Sequence, residues 1–190
     1  MKNINIDDNI LSSFNSLLEE DYFEMSILAN TSAFLNQCFD DINWVGFYIL
    51  KNNYLYLGPF QGKVACTKIK VGDGVCGNAA KTLKTIVVQD VDLFPGHIVC
   101  DPASKSEIVI PIITKGKLYG VLDIDSPTKN RFTNNDKIIL EKFVEVLEKH
   151  LNKLSWWLLY HKNIQIKMTI LIDQINKMLL IHMGSTFIYY

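Results

Sequence analysis

The feature that most constrains the fold is a pair of strand-like segments, residues 107–114 and 117–125, joined by the short linker Lys115-Gly116. The first segment is almost entirely apolar, and the second alternates apolar and acidic residues near its end. A period of two residues is the spacing of a β-strand whose faces differ. Two such strands with so short a linker are expected to pair as an antiparallel hairpin. The register of this hairpin then decides which side chains share a face.

The length of the hairpin loop fixes that register. A two-residue loop would pair Thr114 with Lys117, and it would place Asp123 and Asp125 on the same face as three isoleucines of the first strand. A three-residue loop that includes Lys117 would instead pair Glu107 with Asp125 and separate the acids from the isoleucines. Because a slip of one residue turns every side chain over, the apolar pattern predicts the three-residue loop.

This register gathers Glu107, Asp123 and Asp125 on one face, together with Tyr119, and sets opposed pairs about 5 Å apart. Three close carboxylates repel one another, so at least one is expected to hold a proton near neutral pH or to face a cation. Asp125 alone could simply begin a turn, whereas Asp123 lies within the strand between two apolar residues. The acidic face is therefore a candidate site for binding or proton transfer.

The rest of the chain predicts helices before and after a region rich in strands. In chain order the sequence predicts a helix at 8–20, a helix opened by Asp21, strands at 44–50 and 54–58, a connection at 58–66, a strand at 67–69, a glycine-rich turn and helix at 72–83, a strand at 86–88, a loop at 89–105, and a helix opened at Thr133. Asp21 with Glu24, and Thr133 with Asp136, have the spacing of helix N-caps. Helices that flank an antiparallel sheet indicate the α+β class.

Composition and charge exclude several classes of function. The 190 residues are 48% apolar, which is ample for one packed domain. The net charge of −1, from 19 basic and 20 acidic residues, gives no electrostatic footprint for nucleic acid or a membrane surface. No signal peptide and no uncharged run of about 18 apolar residues is present, so we expect a cytoplasmic protein. Its four cysteines are then expected to be reduced, catalytic or metal-binding.

Three of the cysteines lie in segments that suit chemistry. Cys100 lies in the long loop between His97 and Asp101, and loops of this length within a compact domain are usually functional or disordered. Cys76 lies near the predicted start of a helix, where the positive end of the helix dipole would favour a thiolate. Cys66 precedes a short strand. The fourth, Cys38, lies on the apolar row of the second helix and is expected to be a buried small hydrophobe.

Six motifs follow one another between residues 8 and 152. They are Trp44-Val-Gly-Phe-Tyr48, Gly58-Pro-Phe-Gln-Gly-Lys-Val-Ala-Cys66, Gly74-Val-Cys-Gly77, His97-Ile-Val-Cys-Asp101, Ser104-Lys-Ser-Glu-Ile-Val109 and Gly120-Val-Leu-Asp-Ile-Asp-Ser126. In this order they resemble the free methionine-(R)-sulfoxide reductases, a family of GAF-domain enzymes. The resemblance implies a GAF-like antiparallel sheet with the N- and C-terminal helices packed on one face. It also implies a ligand pocket covered by loops on the other face, with no metal and no cofactor.

The resemblance also implies roles for the thiols. Cys100 would be the nucleophile, Cys66 the resolving thiol, and Cys76 an alternative resolving thiol. Attack of Cys100 on the sulfoxide sulfur would release methionine and leave a sulfenic acid, which a second thiol converts to a disulfide. A thioredoxin-like reductant would then restore the dithiol.

The substrate pocket implied by the resemblance uses the acidic face. Glu107, Asp123 and Asp125 would bind free methionine-(R)-sulfoxide and assist protonation of its oxygen, and Trp44 and Tyr48 would wall the pocket around its methyl group and sulfur. The residue chemistry agrees, because a carboxylate cluster suits an ammonium group and a carboxylic acid of raised pKa can donate a proton.

The domain interpretation places a catalytic domain at residues 1–154 and an extension at 155–190. The extension contains one glycine, no proline and no clean period. It is open to three interpretations: a further helix, a self-association surface that would make the protein a homodimer, or a segment that the domain does not need.

Two other functions compete with the reductase. A GAF-type sensor of small ligands would explain the fold and the pocket, but it would not explain three thiols in the loops around that pocket. A zinc site could use His97, Cys66, Cys76 and Cys100 as ligands. Structural zinc sites usually contain a Cys-x₂₋₄-Cys pair, which this sequence lacks.

Overall fold

A computed structural model describes residues 8–154, 168–169 and 172. The chain divides into two compact units, Met1–Asn152 and Lys153–Tyr190. The first unit contains the sheet and most of the described helices. In the second, residues 168, 169 and 172 are helical. Most of the extension at 155–190, including Trp156 and Trp157, lies outside the described residues, and its three interpretations stay open.

The described part of the first unit has the order α-α-β-β-β-α-β-β-β-α. The elements are α1 (Asp8–Leu18), α2 (Glu24–Cys38), β1 (Trp44–Lys51), β2 (Tyr54–Gly62), β3 (Lys68–Lys70), α3 (Gly74–Thr82), β4 (Ile86–Val88), a 3₁₀ turn (Val91–Leu93), β5 (Ser106–Thr114), β6 (Lys117–Ser126) and α4 (134–154). The six strands form one sheet in the order β3-β2-β1-β6-β5-β4. Every neighbouring pair is antiparallel, which confirms the predicted α+β class.

The two faces of the sheet are covered differently. On one face, α2 packs on β1 and β2. The ring of Phe14 in α1 lies 5.3 Å from Phe34 of α2 and 5.1 Å from Phe143 of α4, measured between centroids. The predicted packing of N- and C-terminal helices on one face is thus confirmed. The opposite face carries α3, which contacts β5 and β6, and the loop that contains Cys100.

The β5–β6 hairpin has the predicted register at the acids but not the predicted loop. Its loop has two residues, Lys115 and Gly116, both with positive φ, and Thr114 pairs with Lys117. The three-residue loop was therefore a wrong prediction. The register shifts between Ile112 and Ile113, and this leaves Tyr119 of β6 without a partner on β5. Such a bulge adds one residue to one strand and restores the phase that buries the isoleucines.

The bulge also changes the place of Tyr119. Its hydroxyl donates a hydrogen bond to Glu24 Oε1 at 2.7 Å, at the start of α2. Tyr119 was expected on the acidic face, and that prediction is wrong because the bulged residue leaves the alternation of its strand. Beyond the bulge the expected pairs are present: Val109 with Asp123 and Glu107 with Asp125.

Two further boundaries differ from the sequence prediction. Strand β2 continues to Gly62, through residues that were expected to form a connection. The N-cap of α2 is Phe23 and makes no side-chain cap; Asp21 Oδ1 instead accepts from Phe23 N–H at 3.0 Å. Glu24 is the first residue of α2 rather than its third, so it forms no capping box with Asp21.

The cap of α4 is confirmed. Thr133 Oγ1 accepts from Asp136 N–H at 3.2 Å, and Asp136 Oδ2 accepts from Thr133 N–H at 2.8 Å. This reciprocal pair satisfies two amide groups at the helix start. Within the part of the chain that the structure describes, no helix has the length and apolar character needed to cross a bilayer.

Candidate active site

The three acids predicted from the hairpin do lie together. Val109 pairs with Asp123 and Glu107 with Asp125 across β5 and β6, so their side chains share the face opposite the isoleucines. Glu107 is 5% exposed and Asp123 is 6% exposed. Since the apolar side chains of the hairpin fill the core under the helices, the same alternation drives these acids to the other face.

Burial sets the protonation of this cluster. Burial raises the pKa of Asp123 to about 6, and hydrogen bonds from Cys76 and Glu107 oppose the rise. The pKa values of Glu107 and Asp125 are raised well above the usual carboxyl value, first by burial and then by the charge of Asp123. Asp123 therefore ionises first, and the other two carboxyls hold their protons more tightly. The expectation that at least one acid holds a proton near neutral pH stays a prediction, and the direction of all three shifts favours it.

Asp123 is also left with unused hydrogen-bonding capacity. Its Oδ1 atom is buried and has no hydrogen-bond partner among the described residues. A buried, unpartnered carboxylate oxygen is costly unless a ligand satisfies it. The pocket that Asp123 lines contains no lysine and no arginine in the described part of the chain. The cluster is thus suited to a cationic group that arrives with a ligand.

Cys76 does not have the thiolate character expected of it. It is the third residue of α3, buried, and its Sγ lies 4.0 Å from Glu107 Oε1. Burial, then the charges of Asp123 and Glu107, raise its pKa well above the usual thiol value. The prediction from the helix dipole was wrong, because desolvation and two carboxyls outweigh the end of a nine-residue helix. Cys76 is a neutral thiol at the base of the pocket.

The other two candidate thiols are joined. Cys66 and Cys100 form a disulfide with Cα atoms 5.5 Å apart, across 34 residues of sequence. Both residues are partly exposed, and Cys100 lines the pocket that the acids line. The disulfide takes two of the four ligands that the zinc interpretation requires. Cys38 is partly exposed rather than buried, and burial raises its pKa.

A set of contacts that the sequence did not predict holds the Cys100 loop in place. Asn43 Nδ2 donates to Asp101 Oδ2 at 3.3 Å and to Ser104 Oγ at 3.1 Å. Asp101 Oδ1 accepts from Ala103 N–H at 2.9 Å, and its Oδ2 lies 3.4 Å from Lys63 Nζ. The Ala103 hydrogen bond, and then Lys63 and Asn43, lower the pKa of Asp101. We call these contacts the Asp101 anchor.

The Asp101 anchor links both redox cysteines to the sheet. Asp101 directly follows Cys100, and Lys63 lies three residues before Cys66. Asn43 directly precedes β1, and its backbone N–H donates to Asp125 O at 2.9 Å. Ser104 also hydrogen-bonds the Asp125 carboxyl. One network therefore fixes the two cysteines and one acid relative to one another.

His97 adds a basic group beside the acids. Its Nε2 lies 3.8 Å from Glu107 Oε2, and its side chain is 14% exposed. Burial lowers the pKa of His97, although the charge of Asp92 opposes this change. The ring is therefore neutral at neutral pH, which fits a protonated Glu107. The pairing of His97 with Glu107 was not predicted, because the two residues meet only when the loop folds over β5.

The aromatic wall is formed by stacked rings. Tyr48 lines the pocket, and burial and the neighbouring acids raise the pKa of its hydroxyl, which therefore stays protonated. Trp44 stacks on Tyr48 at 5.9 Å and on Phe60 at 5.3 Å, and its indole N–H donates to Lys63 O at 3.1 Å. Tyr48 faces the ligand space, whereas Trp44 supports Tyr48 from the side.

The pocket as a whole joins these parts. Its lining comprises Tyr48, Ile69, Asp73, Gly74, Val75, Cys76, His97, Ile98, Cys100, Asp101, Ser104, Glu107, Asp123 and Asp125. It combines three buried carboxyls, of which that of Asp123 ionises first, with a protonated phenol and the disulfide-bonded sulfur of Cys100. Such a set can bind a small cation and can deliver protons to a group that a thiolate attacks.

Comparison with known proteins gives consistent matches. Residues 25–151 match the GAF domain family. The chain is 50% identical over 136 residues to the free methionine-R-sulfoxide reductase of Escherichia coli, covering 72% of this chain and 82% of that protein. It is 51% identical to fRMsr of Staphylococcus aureus in complex with substrate, with a TM-score of 0.73, covering 76% and 94%. Free methionine-R-sulfoxide reductase from Neisseria meningitidis in complex with its substrate matches at 39% identity and a TM-score of 0.75, covering 79% and 90%.

Proposed function

Because the chain belongs to the GAF-domain family of free methionine-R-sulfoxide reductases, and is an oxidoreductase, we propose that it reduces free methionine-(R)-sulfoxide to methionine with Cys100 as nucleophile. The observation that carries this proposal is the Cys66–Cys100 disulfide, which opens onto a pocket of buried acids. The bond is the product expected when an enzyme of this kind has transferred two electrons to its substrate.

The thiol chemistry proceeds in three balanced steps. The Cys100 thiolate attacks the sulfoxide sulfur while its oxygen takes up one proton; the sulfur–oxygen bond breaks, the hydroxyl passes to the Cys100 sulfur to give a sulfenic acid, and methionine leaves with the electron pair on its sulfur. The Cys66 thiol then attacks the Cys100 sulfur, which expels water and forms the disulfide. A thioredoxin-like dithiol reduces that bond by exchange through a mixed disulfide. Cys66 is favoured over Cys76 as resolving thiol, because Cys66 is bonded to Cys100 and Cys76 is free.

The three acids have separate roles in binding the substrate and in donating a proton to it. Ionised Asp123 holds the ammonium of the amino acid, since its unpartnered oxygen faces the pocket and a cation offsets its burial. Glu107 and Asp125, whose pKa values burial and the charge of Asp123 raise, can donate a proton to the sulfoxide oxygen as the sulfur–oxygen bond breaks. Tyr48 and the ring of Trp44 behind it form the apolar wall for the methyl group and the sulfur.

The domain at residues 1–154 carries all of these groups, and the extension at 155–190 carries none of them. A sensor that only binds ligand would need the pocket but not the disulfide. Cys66 and Cys100 are both partly exposed, as reduction of their bond by a protein reductant of the thioredoxin type requires. The arrangement favours the reductase over the sensor for this reason.

The deciding experiment is product analysis. The full-length enzyme is incubated with a small-molecule dithiol and racemic free methionine sulfoxide, and the two epimers are resolved by chiral chromatography. We expect methionine to form at the expense of the R epimer alone. The Cys100→Ser variant should form none, whereas Cys38→Ser, which alters a thiol outside the pocket, should match the parent. Consumption of neither epimer, or equal activity in Cys100→Ser, would refute the proposal.

A further inference from the structure

Three groups at the base of the pocket are of the types that bind metal ions. The Sγ atom of Cys76 and one carboxylate oxygen each of Glu107 and Asp123 all lie within 4.8 Å of one another, and all three residues are buried. They come from three elements that the fold holds together, α3, β5 and β6. Because all three side chains are buried, the packing around them fixes their positions.

The spacing suits a small tetrahedral ion. Zinc–sulfur bonds of about 2.3 Å and zinc–oxygen bonds of about 2.1 Å at a tetrahedral angle separate the two ligand atoms by about 3.6 Å. Cys76 Sγ and Glu107 Oε1 are 4.0 Å apart, so a small side-chain rotation brings them to that distance. Three protein ligands with a fourth position open is also the coordination of an accessible zinc site.

A second observation points to a ligand at the same place. Asp123 is 6% exposed and lines the pocket, and its Oδ1 has no hydrogen-bond partner among the described residues. The lining provides no lysine or arginine in the described part of the chain. A buried oxygen of this kind gains most from an ion that brings positive charge directly to it.

We propose that Cys76, Glu107 and Asp123 bind a thiophilic divalent cation of the zinc class, and that the bound ion blocks the substrate pocket reversibly. Binding displaces the protons of the Cys76 thiol and of a carboxyl group into solvent, since the ligand forms are the thiolate and the carboxylates. Magnesium and calcium fit poorly, because they require six or more oxygen ligands. Inhibition, unlike binding, rests on the function proposed above.

The disulfide makes this site separable from the redox pair. In the oxidised protein Cys66 and Cys100 are bonded to each other, so the free thiols among the four cysteines of the chain are Cys38 and Cys76. The site therefore differs from a zinc tetrad built on Cys66 and Cys100. It also persists through the oxidised half of the cycle, when substrate cannot react.

The test uses full-length oxidised protein and the metal alone. Equilibrium dialysis measures Zn²⁺ binding, and Cd²⁺ titration follows the ultraviolet charge-transfer band of a cadmium–thiolate bond. We expect one tight equivalent and a clear band for the parent and for Cys38→Ser. Cys76→Ser should lose the band and bind at least tenfold more weakly, and Asp123→Asn should also bind at least tenfold more weakly. Circular dichroism confirms that each variant is folded.

Three outcomes would overturn the site. These are no Zn²⁺ bound in the micromolar range, loss of the band in Cys38→Ser instead of Cys76→Ser, and unchanged affinity in both Cys76→Ser and Asp123→Asn. A further arm tests the overlap with substrate: free methionine should weaken Zn²⁺ binding in proportion to its concentration. Tight Zn²⁺ binding that methionine does not affect would overturn the proposed block of the substrate pocket, because it would show that the ion and the amino acid do not share a site.

Discussion

The ionised carboxylate of Asp123 should make the enzyme less stable and more active, and the substitution Asp123→Asn separates the two effects. Burial raises the folded-state pKa of Asp123 from 3.8 to about 6, so the folded protein holds this proton more tightly than the unfolded chain does. Stability from this group is complete at pH values below about 4 and is lost as the pH rises through about 6.

The size of the effect follows from that difference. Each unit of pKa corresponds to about 1.4 kcal/mol, so ionising Asp123 lowers the free energy of unfolding by up to about 3 kcal/mol above pH 6. Asparagine has no charge to desolvate, and its amide can donate to the Glu107 carboxyl. Because the substituted amide is still buried, we expect a gain of about 1–2 kcal/mol for Asp123→Asn at pH 8, and none at pH 4.

Catalysis should respond in the opposite direction. Removing one partner of a buried ion pair typically costs about 3–5 kcal/mol. Glu107 and Asp125 remain beside the ammonium, so a loss of about 2–4 kcal/mol is expected, which is a fall in kcat/KM of about 30- to 1000-fold.

The assay combines urea unfolding at pH 4 and pH 8 with steady-state turnover of free methionine-(R)-sulfoxide. Asp40→Asn is the matched control, because Asp40 is an exposed acid outside the pocket. We expect that control to change neither stability nor kcat/KM appreciably. If Asp123→Asn is destabilised at pH 8, or if it keeps the kcat/KM of the parent, the electrostatic account of the pocket is wrong.

Three further predictions test other parts of the site. Cys66→Ser should complete a single turnover at a rate near that of the parent but should lose recycling by thioredoxin, because the Cys100 sulfenic acid then lacks the Cys66 thiol with which it forms a disulfide. Rapid thioredoxin-driven turnover of this variant would point to Cys76 as the resolving thiol. N-acetylmethionine sulfoxide lacks the ammonium that Asp123 is proposed to hold. With the parent enzyme its kcat/KM should be lower than that of free methionine sulfoxide by about the same factor as Asp123→Asn causes. Equal kcat/KM values for the acetylated and the free compound would show that the pocket does not select the free amino acid. A chain ending at Leu154 should keep catalysis, because every group assigned here lies upstream; a folded truncation that binds no substrate would contradict the assignment of residues 1–154 as the catalytic domain.

The acidic face could be predicted from the sequence because the acids alternate with the apolar core residues along the hairpin and therefore lie on its opposite face. Misplacing Ile108, Ile110 and Ile112 in water would cost several kcal/mol, so the apolar pattern fixes the opposite face without any knowledge of the loop. The loop itself was predicted wrongly. The sequence offered two ways to reach one register, and the chain takes a two-residue loop at positive φ and absorbs the extra residue of β6 in a bulge at Tyr119.

The state of Cys76 could not be predicted in the same way. Its position near a helix start is a local signal, visible in the sequence, and it indicates a thiolate. The groups that reverse this indication, Glu107 and Asp123, lie 31 and 47 residues away in the chain. A pKa depends on neighbours in space, and only the fold brings these three residues together.

The Asp101 anchor was missed for a related reason. Asn43 meets Asp101 and Ser104 across 58 and 61 residues of sequence. A single hydrogen bond between distant polar residues leaves no periodic pattern. The one local sign was that Asp101 follows Cys100 and precedes a proline, which indicated a turn but not its attachment to β1.

Because of the bulge at Tyr119, the number of residues between the turn and the acids decides which face of the sheet the acids occupy. From Glu107 to Thr114 there are eight residues and from Lys117 to Asp125 there are nine, and the extra one is absorbed at Tyr119. Deleting Tyr119 alone would leave the turn intact and convert the bulge into regular pairing, with Asp123 still opposite Val109 and Asp125 still opposite Glu107. A single residue inserted elsewhere between the turn and the acids, with no second bulge to absorb it, would instead turn Asp123 and Asp125 toward the helical core. A replacement for the exposed turn at Lys115-Gly116 must keep the strands in phase and retain the N–H that donates to Asn152 Oδ1 at 3.0 Å.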